Sequence, residues 1–197
     1  MVRRNVCRLT SKNYNNLFVQ VISKLIESHS VTEQSLGVVL KAFTEDTNRF
    51  PPDSEFKAAF SNEVISNTNA KEILYCISLY QIHNPKQDVK KLSSSSYSVE
   101  HMMPQKWETN WSTNGMNDVA KTLRNKKLKT LGNLTLVTKS LNSSMKNAAW
   151  EKKREVLKKY SLLRITTDYT NNLEWDESKI DSRAGEFADM AVKMWPY

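Results

Sequence analysis

The sequence predicts a mainly α chain with a small β-hairpin, organised as a helical N-terminal support, a β-β-α core and a C-terminal helical brace. Three observations predict it. Apolar residues recur at i, i+3, i+4 between Tyr14 and Tyr80 and again from Ile180. Two β-prone stretches, one at Tyr97 and Val99 and one from Leu134 to Thr138, stand apart from that pattern. Helical spacing then resumes at Leu141 and Met145. At 197 residues and 39% hydrophobic content, the chain has enough material for one domain or for two small ones sharing a core. The expected division is 1–90 for the support and 91–197 for the remainder, an arrangement also compatible with one integrated domain.

The elements follow in order. After Thr10 and Ser11, either of which can cap, the stripe Tyr14, Leu17, Phe18, Val21, Ile22, Leu25, Ile26 predicts an amphipathic helix ending near His29. Thr32 caps a second, with Leu36, Val39, Leu40 and Phe43 inward. Pro51-Pro52-Asp53 punctuates before a short third carrying Phe56 and Phe60. A fourth turns Ile73, Leu74, Ile77 and Tyr80 inward and stops at Asn84-Pro85. Lys86 to Ser96, ending in four serines, has the composition of a linker. The strand after the Leu131-Gly132 turn signal leads into a helix from about Ser140 that extends through Trp150, Val156 and Leu157. Ile180, Ala184, Phe187, Ala191 and Met194 make the closing helix.

Composition narrows the function classes. No apolar run reaches the roughly 20 residues that cross a bilayer, and MVRRNVCRLT lacks the apolar core of a secretory signal, so no membrane partner and a cytoplasmic setting are expected. Cys7 and Cys76 have neither zinc nor disulfide spacing and read as small core hydrophobes. The formal charge is +8, and residues 121–160 alone hold twelve Lys or Arg against Glu151 and Glu155. Such a block suits a polyanion, and Lys126, Lys127, Lys129, Lys139, Lys146, Lys152, Lys153 and Arg154 are the expected phosphate contacts.

The residues that carry chemistry fall beside that block. Tyr97 to Pro104 reads YSVEHMMP and Gly132 to Asn142 reads GNLTLVTKSLN. An acid next to a histidine at the end of a strand, followed by two asparagines nine positions apart, is the layout of a one-metal nuclease site. Phosphodiester hydrolysis needs a base for water and a cation for the negative charge gathering on phosphorus and the leaving oxygen. His101, with an ordinary pKa near 6.5, can take the proton. Glu100 and Asn142 can offer oxygens to one hard divalent ion, Mg2+ or Mn2+. Asn133, with donors and an acceptor, suits a supporting role: tying the loop to the second strand and holding His101. Asn147 is a further candidate for a ligand or phosphate contact. Adjacent strand residues point to opposite faces, so Glu100 and His101 can share a phosphate only where the strand ends, and Pro104 is placed to end it. His29 and His83, at predicted helix ends, read as dipole partners or exposed groups.

Glu100-His101-x-x-Pro104-Gln105 with Asn133 and Asn142 resembles the HNH, or ββα-metal, nucleases. Together with the L-G-N-L-T-L run from Leu131, N-S-S-x-x-N from Asn142, the opening RRNVCRLT, the RFPPDSEF stretch from Arg49, Trp107 and Trp111, and the closing Trp175, Ile180 and Arg183, it is similar to the C-terminal domain of the GmrSD family of type IV, modification-dependent restriction endonucleases. The resemblance covers almost the whole chain. It implies an HNH-like core, DNA as substrate, 5′-phosphate and 3′-hydroxyl products, service in restriction or phage defence, and a nucleotide-dependent N-terminal domain or separate subunit as partner. A catalytically silent nucleic-acid-binding module is the alternative, and RNA stays open as a target. The His101 to Asn133 interval is long for a minimal HNH motif and is expected to form a loop plus a short helix. Its tryptophans serve either the core or base stacking.

Overall fold

A computed structural model describes residues 1–82, 93–113 and 115–197. His83, the Asn84-Pro85 stop and most of the expected linker lie outside the described residues. The support begins with a short helix that the apolar spacing did not announce, α1 (Val2–Val6), followed by α2 (Tyr14–Glu27), α3 (Glu33–Lys41), α4 (Asp53–Asn62) and α5 (Asn67–Tyr80). Then come β1 (Tyr97–His101), α6 (Asp118–Lys127), β2 (Leu134–Thr138), α7 (Lys139–Met145), α8 (Trp150–Tyr160), α9 (Arg164–Thr167) and α10 (Glu177–Met194). The chain is thus mainly α with a small β-hairpin. No helix among the described residues is long and apolar enough to cross a membrane.

Local chemistry sets many of the boundaries. Thr32 caps α3 in a capping box with Ser35, Ser66 caps α5, Asn117 caps α6, and Asp176 caps α10 by accepting from the Lys179 N–H at 2.9 Å. Neither Thr10 nor Ser11 caps α2; the cap position is Asn13, and its side chain makes no capping bond. The helix expected from Ser140 is two helices. Lys146 takes φ 42°, the left-handed region, which breaks the run although the apolar spacing continues across it.

One hydrophobic cluster runs from Val6 through Phe56, Phe60, Leu74 and Ile77 to Leu134, Leu136, Phe187 and Ala191, joining α4, α5, the hairpin and α10. The apolar stripe of α2 divides. Leu17 and Val21 join Val39 and Phe43 in a second, small cluster, while Phe18, Ile22 and Ile26 are exposed. Cys7 and Cys76 are half-buried free thiols, with burial pushing Cys7 up to about 12.

β1 and β2 pair antiparallel, with Glu100 opposite Thr135 and His101 opposite Leu134. The Tyr97 ring lies 6.4 Å from Tyr75 of α5, whereas Ser98 accepts from Asn142 of α7, so strand alternation sandwiches the hairpin between α5 and α7. The same alternation puts Glu100 on the α7 face beside Ser98. α10 packs along α4 and closes over Gly132, where a Cβ would stand 2.1 Å from the Ile180 carbonyl oxygen.

Candidate active site

β1 ends at His101, and the backbone bends through Met102 and Met103 before the buried Pro104. What fixes this corner is Asn133, which is fully buried. Its Oδ1 accepts from the Met103 N–H at 2.9 Å and from the Trp175 indole N–H at 3.1 Å. Its Nδ2 donates to the Met103 carbonyl at 2.8 Å and the Leu128 carbonyl at 3.0 Å. A carboxamide is the side chain that can both donate and accept in this way. Around it, the buried Arg183 guanidinium donates to the carbonyls of Gly132 (2.7 Å), Leu134 (2.8 Å) and Ile165 (2.7 Å), packed by the rings of Tyr169 and Phe187. In the sequence Trp175 and Arg183 stand out only as parts of a closing pattern. Their contribution is to hold the strand that holds the loop.

Asn142, on α7, donates from Nδ2 to Ser98 Oγ and to the Val99 carbonyl, each at 3.0 Å. The amide group is thereby oriented, and its carbonyl oxygen sits on the other branch. Ser98 and Glu100 share a strand face, so α7 brings the Asn142 carboxamide to the same face as the Glu100 carboxylate.

Glu100 itself is buried, and the Lys153 ammonium of α8 is paired directly with its carboxylate. The same ammonium donates to the His101 carbonyl at 2.7 Å. Burial pushes the Glu100 carboxyl above its ordinary range, with Lys153 and a backbone hydrogen bond from His101 pulling the other way; burial likewise lowers Lys153 against the pull of Glu100. Lys153, which the charge count places among the surface phosphate contacts, is instead 0% exposed. The signal was present in the sequence: Trp150, Lys153 and Leu157 follow each other at i, i+3, i+7, so the lysine occupies a core position of α8.

His101 is half-buried, and its Nε2 lies 3.1 Å from Nε2 of the exposed Gln105, so this edge of the ring opens toward the surface. Burial first, and then the charges of Lys153 and Lys129, lower its pKa to about 4. The imidazole is therefore neutral at pH 7, with a lone pair to accept a proton.

The rest of the basic block separates into free and committed cations. Lys126, Lys129, Lys139, Lys146 and Lys152 are exposed, and Arg154 is half-buried. Lys127 is tied to Asp181 and donates to the Ser61 carbonyl at 3.0 Å. Trp107 is fully buried, with its indole N–H on Asn125 Oδ1 at 2.8 Å and Arg124 stacked 4.5 Å from its ring, so it belongs to the core. Trp111 is half-buried against the same cluster. Asn147 is exposed and accepts, through its carbonyl, from Asn110 at 2.8 Å. Among the described residues no three His, Cys, Asp or Glu side chains gather at metal-binding spacing.

Residues 50–190 match the family model of the GmrSD restriction endonucleases, C-terminal domain. The chain belongs to this family. No curated protein and no solved structure matches it. Membership in the GmrSD C-terminal family makes the chain a restriction-endonuclease-related module, and the match contains every residue of the corner just described, from Glu100 to Arg183.

Proposed function

We propose that this GmrSD C-terminal domain is a metal-dependent HNH-type endonuclease module that hydrolyses DNA phosphodiester bonds within a modification-dependent restriction or phage-defence system. What supports the reading is that Asn142 of α7 is held on Ser98, which shares a face of β1 with Glu100 by strand alternation, and that a neutral His101, open at one edge, ends the same strand. The donor set fits a hard divalent ion, Mg2+ or Mn2+: a carboxylate oxygen and an amide carbonyl oxygen from two elements that Asn142 itself ties together. Such an ion would stabilise negative charge on the phosphate and the leaving 3′ oxygen.

The chain's own groups do the remainder. His101 accepts the proton of the attacking water, and the exposed Gln105 amide, which now faces that nitrogen, must yield to it. Burial keeps His101 deprotonated, and the Lys129 charge that adds to it also favours an approaching phosphate. Asn133 keeps the loop after His101 from rotating out of register. Exposed Lys126, Lys129, Lys139, Lys146 and Lys152, with Arg154, supply sequence-independent phosphate contacts. A nucleotide-dependent domain or subunit would decide which DNA is presented.

The test is nicking of supercoiled plasmid with Mg2+ or Mn2+, with the nucleotide-dependent partner supplied. His101→Ala should abolish cutting while DNA retention persists; undiminished cutting by that variant rejects the mechanism. One observation favours a second reading, a catalytically silent nucleic-acid-binding module: the carboxylate of Glu100 is already engaged by Lys153. Salt-sensitive DNA binding with no metal-dependent cleavage would select it.

A further inference from the structure

The ion pair at the corner bears on how the site is loaded. Glu100 and Lys153 are both buried, Lys153 completely, and among the described residues each is the other's only opposite charge in direct contact. A carboxylate sealed in the interior without a counter-charge is strongly destabilising, and losing one partner of a buried pair costs more than the pair contributes. The fold meets this need with an ammonium delivered by a core position of α8 and anchored a second time on the His101 carbonyl at 2.7 Å. The protein therefore needs no metal to neutralise Glu100.

We propose that Lys153 is the resident counter-cation of the Glu100 site, holding the carboxylate in place without metal and competing with a divalent ion for it. The inference rests on the metal site proposed above. Two consequences follow from charge alone. An ion arriving at Glu100 meets a buried ammonium already bonded to its ligand, so affinity in the absence of DNA is weak. Removing the positive charge while keeping Glu100 strengthens binding, because the repulsion between the ammonium and the arriving ion disappears. Lys153 acts through Glu100 and is a positioning residue with an inhibitory hold on loading. A purely structural lysine would behave in the opposite way, since its loss would loosen Glu100 and weaken the ion.

The experiment is Mn2+ binding to the full chain without DNA, read by the electron paramagnetic resonance signal of free Mn2+. The wild type is compared with Lys153→Gln, which keeps a donor for the His101 carbonyl, and with Glu100→Gln and the double variant. Circular dichroism establishes that each is folded, and Lys153→Met serves as a second neutral variant should the first not fold. The expected result is at least tenfold tighter Mn2+ binding in the Lys153 variant, with the gain lost when Glu100→Gln is added. Unchanged or weaker binding in the Lys153 variant, while Glu100→Gln still removes the wild-type site, overturns the competition and leaves the metal reading standing. Binding that is absent, or indifferent to Glu100→Gln, in both wild type and Lys153 variant overturns the metal site itself.

Discussion

Replacing Asn133 by alanine should be among the most costly single changes in the molecule. The side chain makes four hydrogen bonds between 2.8 and 3.1 Å in a site without solvent. Truncation leaves the Met103 N–H, the Met103 carbonyl, the Leu128 carbonyl and the Trp175 indole N–H each without that partner. A buried polar group stripped of its partner costs about 1–3 kcal/mol, so even at the lower end four such groups cost about 4 kcal/mol. Domains of this size are stable by about 5–15 kcal/mol, so the loss takes a large fraction of the whole. Urea unfolding followed by tryptophan fluorescence reads it directly, because Trp107, Trp150 and Trp175 are buried reporters. Asn133→Asp should be no milder, since it keeps the acceptors, loses both donors and buries a charge. Hydrogen exchange at the Met103 amide should accelerate in both variants. A loss below about 1 kcal/mol for Asn133→Ala, or unchanged protection at Met103, would show that the corner after His101 is held by something else.

The other expectations concern pH, packing and surface. In metal-free protein the folded state resists protonating His101, whose pKa is lowered to about 4 from an unfolded value of 6.5. Stability should therefore fall as pH drops through that window, by up to about 3 kcal/mol, and His101→Gln should flatten this part of the pH profile. Gly132→Ala drives a methyl group against the Ile180 backbone, and thermal unfolding should register a loss of about 2 kcal/mol or more. Ile22→Gln and Ile26→Gln lie on the exposed side of α2 and should change stability by no more than about 0.5 kcal/mol, whereas Leu17→Ala on its buried side should cost about 2 kcal/mol or more. The Cys7 thiol, raised to about 12, should react slowly with a disulfide reagent at pH 8 until the protein is denatured.

The order of elements was legible because periodicity and turn chemistry are local. Thr32, the Pro51-Pro52 pair and the Leu131-Gly132 turn mark boundaries through bonds and dihedral limits that act within a few residues. The paired strands were legible for the same reason, and so was the motif that ends the first of them. Illegible were the places where the tertiary structure overrules a local signal. The apolar spacing from Leu141 to Leu157 continues across Lys146, and only the backbone there shows that two helices share it. In α2 the stripe is apolar on two sides, and sequence does not say which side α3 will cover.

Charged residues were the larger loss, and they fail in one consistent way. Arg3 donates to the Trp195 carbonyl at 2.8 Å and the Pro51 carbonyl at 2.9 Å, Arg4 to the carbonyls of Arg49, Thr10, Asp46 and Thr47, and Arg183 to those around Gly132. Each guanidinium spends donors on several backbone carbonyls at once, Arg3 adding an ion pair with Asp53, which is the work its fork of N–H groups does well. A charge count assigns all of them to the surface. What distinguishes them in sequence is register: Arg183 falls one position before Ala184 in the stripe of α10, and Lys153 falls between Trp150 and Leu157 in that of α8. A cation in register with core residues thus marks a partner that must be neutralised or bonded within the fold. For Lys153 that partner is Glu100, the residue that the motif alone had given to a metal, which is why the basic block has to be divided before it can be read as a DNA surface.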